Sequence, residues 1–286
     1  MAEKFKIEKR IKLLEFLFSH LEGWSKKTIK QRLKNESILV NGKVNTKHDF
    51  YLQVKDIVEI AGKQKGFSSN RDKIEIIYQD KDLIAINKPA GLLSVATKQE
   101  NKVHALAILR KQLSHSKKDV KLWPVHRLDR DTSGILLFAT SKIIRETLMA
   151  TWGEAQKVYL AVVEGKPVEK KATINQALRL DEKEYRMHVG QHPDAKMAIS
   201  HYELKKEGRQ RSLLEVRIET GRQHQIRAHM AWLGHSITGD ERYGTKGSRM
   251  GLHATKLKII HPVTKAYLEL EVAATKDFYQ LLEDTY

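Results

Sequence analysis

Two clusters in this sequence gather side chains able to do chemistry. The first is His126-Arg-Leu-Asp-Arg-Asp-Thr-Ser-Gly134, in which two carboxylates, Asp129 and Asp131, sit among three potential cations. An arginine beside an aspartate favours the ionised carboxylate, the form that a nucleophile or a counter-charge needs. On spacing alone a salt-bridged turn is the simpler reading, with Asp131 and Thr132 bonding the local backbone and Gly134 supplying φ > 0. The second cluster is Thr220-Gly-Arg-Gln-His-Gln-Ile-Arg-Ala-His229. Thr220 or Gly221 can cap a helix whose Ile226, Met230 and Leu233 share one face and which Gly234 ends. Arg227 falls near the edge of that face, and a partly buried guanidinium needs a carboxylate, for which Asp129 is a candidate. A rival reading is a metal site of His224, His229 and one of His235, His253 or His261. Five residues of separation splay the first two apart on a helix, and neither H-E-x-x-H nor any thiolate supports it.

The elements that must position these clusters alternate short apolar runs with turn signals. Ile74 to Tyr78, Leu83 to Ile86, Leu122 to Val125 and Ile135 to Ala139 read as strands, Asn87 to Gly91 as a turn, and Ser141 to Trp152 as a helix. Strands dominate without regular strand and helix alternation. No phosphate-binding glycine loop is present, so kinase, NTPase and dinucleotide readings lack support.

The first seventy residues differ. Ile11, Leu14, Leu17, Phe18 and Leu21 recur at helical spacing, Ser25 is placed to cap a second helix, and Asn41-Gly42 marks a tight hairpin before the strand-like Asp56 to Ile60. On the second helix Lys26, Lys27, Lys30 and Lys34 fall in an arc roughly 100° wide. A solvated helix face explains such a stripe as well as a docking surface does. Residues 62–73 have linker composition, which divides the chain into a module over 1–61 and a larger domain over 74–286.

The 286 residues carry 52 Lys and Arg against 35 Asp and Glu, a formal charge of +17, and no cysteine. Residues 1–70 account for +7 of that charge, about twice the density of the remainder. Nucleic acid, anionic membrane and acidic protein all remain possible partners for such a surface. Disulfides and thiolate metal sites are excluded, no apolar run is long enough for a membrane span, and a reducing cytoplasm is the expected location.

Taken in order, Asn87-Lys-Pro-Ala-Gly91, His126 to Phe138, Lys157-Val-Tyr159, Lys196 to Tyr202, Thr220 to Met230, Gly239-Asp240, Tyr243-Gly244, Leu252-His-Ala254 and His261-Pro262 resemble the RluA family of RNA pseudouridine synthases. The match spans about residues 74 to 280. Gln223 and Ser236 depart from the family's usual Thr and Pro, at positions that carry no chemistry. The order of elements over residues 11 to 61 resembles the S-four RNA-binding module, an arrangement familiar ahead of this catalytic domain.

The resemblance implies an α+β fold with a mixed, mainly antiparallel central sheet and flanking helices, plus a small α/β module. It implies isomerisation of uridine in structured RNA, ribosomal RNA in preference to tRNA, with no metal or nucleotide cofactor. It also implies no membrane or obligate protein partner, with a monomer as default. Asp129 matches the catalytic carboxylate, acting at ribose C1′ or C2′. Arg227 matches its pairing arginine, Tyr159 the tyrosine that stacks on uracil and helps remove the C5 proton, and Leu252 the aliphatic residue beside the base. Lys157 is expected to support the site or a phosphate, and Arg127 to fill the space left by a flipped uridine. Lys26, Lys27, Lys30 and Lys34 match the RNA-facing surface of the small module. A non-catalytic RNA-binding or assembly factor retaining the fold is the competing reading; an intact Asp129, Tyr159 and Arg227 favour the enzyme.

Overall fold

The computed structural model describes residues 3–21, 25, 29, 33, 38–45, 47, 49–60, 73–97, 103–114 and 120–283. The chain divides into two compact units, residues 1–69 and 70–286.

In the first unit, strands β1 (Glu3–Lys6), β3 (Ile38–Val40), β4 (Lys43–Val44) and β6 (Ile57–Ile60) form a sheet in the order β1-β6-β3-β4, while β2 (Ile11–Lys12) pairs with β5 (Tyr51–Leu52). The expected hairpin is present: Asn41 and Gly42 both have positive φ, 51° and 76°, as a two-residue turn matched to strand twist requires. The first helix, α1, runs from Leu13 to His20 and buries Leu13, Phe16 and Leu17. Its buried face is therefore rotated from the one that the spacing of Leu14 and Phe18 suggests, because Ile11 pairs in β2 and the helix begins later. Ile29 and Leu33 are buried in the same core, and the Ile29 amide bonds the Ser25 carbonyl at 3.1 Å, one helical turn back. Lys26, Lys27, Lys30 and Lys34 lie outside the described residues, as does most of the expected linker.

The second unit is built on an eleven-stranded sheet. Its strands are β7 (Glu75–Gln79), β8 (Leu83–Lys88), β9 (Trp123–Pro124), β10 (Ser133–Ala139), β11 (Gln156–Glu164), β12 (Lys171–Asp181), β13 (Arg186–Val189), β14 (Lys196–Glu207), β15 (Arg211–Ile218), β16 (Leu252–Ile260) and β17 (Tyr267–Glu271). The main path is β13-β12-β14-β15-β11-β16-β10-β8-β7, with β17 on β16 and β9 on β10. Every pairing is antiparallel except that of β10 with β16. The fold is the expected α+β class.

Strand periodicity distributes the core over both faces. Ile84, Ile86, Leu136 and Phe138 pack with helix α2 (Ala105–Leu113), whereas Leu83, Ala85, Ile135, Leu137 and Ala139 pack on the other side with Leu148 of α3 (Lys142–Ala150). Ser141 caps α3 through a 3.2 Å bond from the Ile144 amide. Helix α4 (Gln225–Trp232) buries Ile226 and Met230 against Ile174 and Val216, and α5 (Lys276–Glu283) sets Phe278 against Val162.

The parallel pair β10/β16 imposes the tightest constraint. Gly134 lies opposite Ala254 at φ 109°, and a Cβ there would stand 2.2 Å from the Ala254 carbonyl oxygen. The strand leaving the first reactive cluster can join β16 only with glycine at this position. Gly134→Ala is expected to lose roughly 2–6 kcal/mol of stability in urea unfolding, from overpacking plus backbone strain.

Candidate active site

Asp129 lies in the segment between β9 and β10, and its two neighbours in sequence are fixed by groups far along the chain. The Ser94 hydroxyl donates to the Leu128 carbonyl at 2.7 Å and accepts from the Leu128 amide at 3.0 Å. The Lys88 ammonium, fully buried at the end of β8, donates to the carbonyls of Leu92, Arg130 and Pro89 at 2.7, 2.9 and 3.0 Å. Held on both sides, Asp129 presents its carboxylate outward with 28% of the side chain exposed. Burial draws the Lys88 pKa down to about 7, with Asp131 and then Asp129 acting in the opposite sense.

Arg227 reaches this carboxylate from α4, its Nη1 donating to Asp129 Oδ2 at 2.8 Å. A second partner holds it more fully: Nε donates to Asp240 Oδ2 at 2.6 Å and Nη2 to Asp240 Oδ1 at 2.8 Å, with Asp240 wholly buried. This fork-to-carboxylate geometry leaves the guanidinium one orientation. Asp240 and Asp129 outweigh burial and raise the Arg227 pKa, so it stays charged. Asp240 Oδ1 also accepts from the amides of Arg242 and Tyr243.

Helix α4 starts differently from expectation. Its N-cap is His224, in a left-handed conformation at φ 49°, and not Thr220 or Gly221. Thr220 Oγ1 instead bonds the Ile199 amide and the Gln225 side chain, which fastens the preceding loop to β14. The turn at His224 swings its ring toward Asp129, with Nε2 3.8 Å from Oδ2. The Tyr243 hydroxyl accepts from the Met187 amide at 2.7 Å and lies within hydrogen-bond reach of His224 Nδ1, at 3.1 Å. Burial lowers the His224 pKa, Asp129 opposing and Arg227 and Arg242 assisting. The guanidiniums of Arg186 and Arg227 both lie against the Tyr243 ring, 5.0 and 5.2 Å from its centroid.

Tyr159 and Leu252 enter from neighbouring strands. A bulge between Val158 and Tyr159 shifts the β11/β16 register and sets Tyr159 opposite Ala254. Its ring packs against both the Leu128 and the Leu252 sides of the core. Burial, reinforced by Asp129, raises its pKa and keeps the phenol neutral. Lys157 lies elsewhere, its ammonium 5.6 Å from the centroid of Trp152, which stacks on His126 at 5.3 Å. His126 is pushed down to about 4 by burial and by Lys157, and its Nε2 accepts from the Leu137 amide, a structural task. Arg127 is exposed beside the buried Leu128. A cleft of about 500 Å³ opens next to Arg227 and Asp240, with Asp131, Arg242 and Arg249 on its wall.

The remaining histidines of the rival metal reading are dispersed. His229 bonds Ser200 and the Gln176 carbonyl, His253 bonds Ser133 and the Val272 carbonyl, and His235 the Glu164 carbonyl. Asp80, Asp82 and His261 do converge within 4.8 Å. Amides of Val263 and Thr264 donate to His261 Nδ1, however, so Nε2 carries the proton and donates to Asp80, which locks two turns together.

The site therefore brings together a partly exposed carboxylate, an arginine that fixes it and a neutral tyrosine, beside a cleft lined by Arg227 and Asp240. A family model described as RNA pseudouridylate synthase matches residues 82–232. The chain belongs to this family. The Escherichia coli K12 ribosomal large subunit pseudouridine synthase D is 30% identical over 91% of this chain and 86% of its own length. The Vibrio vulnificus tRNA pseudouridine synthase C is 32% identical over 73% of this chain and 94% of its own length. Among solved structures, human RNA pseudouridylate synthase domain containing 4 superposes with a TM-score of 0.60 at 25% identity, over 73% of this chain and 91% of that one. RNA pseudouridine synthases are isomerases: the product keeps every atom of the uridine, with C1′ moved from N1 to C5.

Sequence reasoning brought Asp129, Arg227, Tyr159 and Leu252 to one region but missed Lys88, Ser94 and Asp240 as supports, and weighed His224 only as a metal ligand. The available signals were the lysine just after the apolar run Leu83 to Ile86 and the place of Lys88 and Asp240 in the motifs Asn87 to Gly91 and Gly239-Asp240. Asp240→Ala is expected to cost about 3–5 kcal/mol in urea unfolding, since it leaves a buried guanidinium half-paired. Lys88 makes stability pH-dependent. Below about pH 7 the residue is protonated both folded and unfolded; between about 7 and its unfolded value of 10.5 only the unfolded chain holds the proton, so folding gains as pH rises. The stability of the native protein relative to Lys88→Met should therefore increase from pH 7 to 10, and a flat difference in paired urea titrations would refute it.

Proposed function

We propose that this chain isomerises specific uridines in large-subunit ribosomal RNA, with Asp129 as the reacting carboxylate. The observation that carries the reading is the Asp129 to Arg227 pair, held by Asp240 at the edge of the cleft. An ionised Asp129 attacks C1′ to give a ribosyl ester or takes the C2′ proton to give a glycal; in both, the N1 to C1′ bond breaks and the base turns before C1′ joins C5. Arg227 orients the carboxylate, and Tyr159 offers a neutral ring for the uracil to stack on, with Leu252 beside it. For Tyr159 to accept the C5 proton its own proton must leave first, and its raised pKa works against that. Lys157, packed on Trp152 near His126, serves the neighbouring structure and not the uracil directly. The target base must leave its stack, and the exposed Arg127 is placed to occupy the vacated space.

Two features support ribosomal RNA over tRNA. The ribosomal relative matches 91% of this chain and the tRNA relative 73%. The first seventy residues also have the higher charge density, which suits an S-four-type docking module with Lys26, Lys27, Lys30 and Lys34 on its RNA face. A cysteine-free chain of this kind fits the cytoplasm.

The test is carbodiimide-dependent mapping of pseudouridine in ribosomal and transfer RNA from cells with and without the gene. Deletion should remove at least one large-subunit site, which the native gene restores, Asp129→Asn does not, and Arg127→Ala restores poorly. If deletion removes no site, or Asp129→Asn restores all of them, the reading fails.

A further inference from the structure

The turn between β12 and β13 carries a feature that neither the fold nor the Asp129 centre requires. Asp181 and Arg186 close the hairpin as its last paired residues, and Asp181 Oδ1 accepts from the amides of Lys183 and Glu184 at 2.9 and 3.1 Å. Tyr185 follows in the left-handed region at φ 49°, a costly backbone for an aromatic residue, with 55% of its surface exposed. Arg242 holds it there. Its Nη1 donates to the carbonyls of Glu184 and Tyr185 at 2.9 and 2.7 Å, and its guanidinium lies 5.3 Å from the Tyr185 ring centroid. The ring is therefore more than half exposed and braced by a cation. Its edge contact is with His224, centroids 6.2 Å apart, and His224 in turn faces Asp129.

We infer that Tyr185 is a stacking shelf for the nucleobase next to the uridine held at Asp129. The inference rests on the proposed function for its setting and goes beyond it in assigning a neighbouring subsite. Charge decides the class of ligand. Around the tip Asp181, Glu182 and Glu184 nearly offset Arg179, Lys183, Arg186 and Arg242, and the Arg242 Nη1 is turned to the Glu184 and Tyr185 carbonyls, so the tip offers only a small excess of cations to a phosphate. What it offers is one exposed π-face, which any base can use. The hairpin is also fastened to the site through Arg242 and through the Met187 to Tyr243 bond, so a base bound on Tyr185 is held in register with Asp129.

The experiment titrates the full-length protein into a stem-loop RNA whose loop carries a single uridine flanked by 2-aminopurine. Native protein should bind and quench the fluorescence, and Tyr185→Phe should do the same. Tyr185→Asn removes the ring while suiting the left-handed backbone, so the hairpin is preserved, and thermal unfolding checks this directly. It should abolish the quench and weaken binding about tenfold, the effect of losing one base stack. Quenching retained by Tyr185→Asn, loss by Tyr185→Phe equal to that by Tyr185→Asn, or native protein that does not bind and quench would each overturn the inference. Failure of the proposed reaction is read separately, in the pseudouridine map with Asp129→Asn, and leaves the quenching result standing.

Discussion

The site is organised around the guanidinium of Arg227. It sits between two carboxylates, one wholly buried in Asp240 and one partly exposed in Asp129, and makes two bonds to the first and one to the second. A buried charge is tolerable only when it is paired, and the two bonds to Asp240 fix how the guanidinium lies. Its Nη1 then points at Asp129. The more buried carboxylate thus acts as anchor, and the more exposed one is left with its second oxygen free of Arg227.

This division of labour requires a rigid loop around Asp129, and the sheet supplies it. Lys88 ends one strand and Ser94 lies just beyond it, and between them they bind Leu128 and Arg130, on either side of the aspartate. The parallel contact of β10 with β16, possible because Gly134 has no side chain, brings Leu252 and Ala254 to the same place. A bulge in β11 then turns Tyr159 onto Ala254. Four strands, one helix end and one loop converge there, and the polar groups that would be costly if buried alone bond one another.

Much of this was legible in the chain. The short apolar runs Leu83 to Ile86 and Ile135 to Ala139 predict strands, and both pack core residues on two faces of the sheet. Asn41-Gly42 predicts its turn because few dipeptides tolerate two positive φ angles. The helix caps were less legible. Thr220 has the right chemistry for an N-cap, yet its hydroxyl is taken by Ile199 and Gln225, and a histidine in a left-handed conformation starts the helix. Local propensity yields here to a loop held by a neighbouring strand.

The sequence by itself determined the family and the fold class, and it singled out Asp129, Arg227 and Tyr159 as candidates for the site. These depend on residue type and local spacing, which a linear pattern records. Only the tertiary structure decided that Asp240 is the stronger partner of Arg227, that Lys88 and Ser94 hold the aspartate loop, and that His224 faces Asp129 while the other histidines serve elsewhere. Those contacts join residues up to about a hundred positions apart, and their direction is set by a bulge, a left-handed residue and a close strand approach. Side-chain direction at such points follows from packing, which no local spacing encodes.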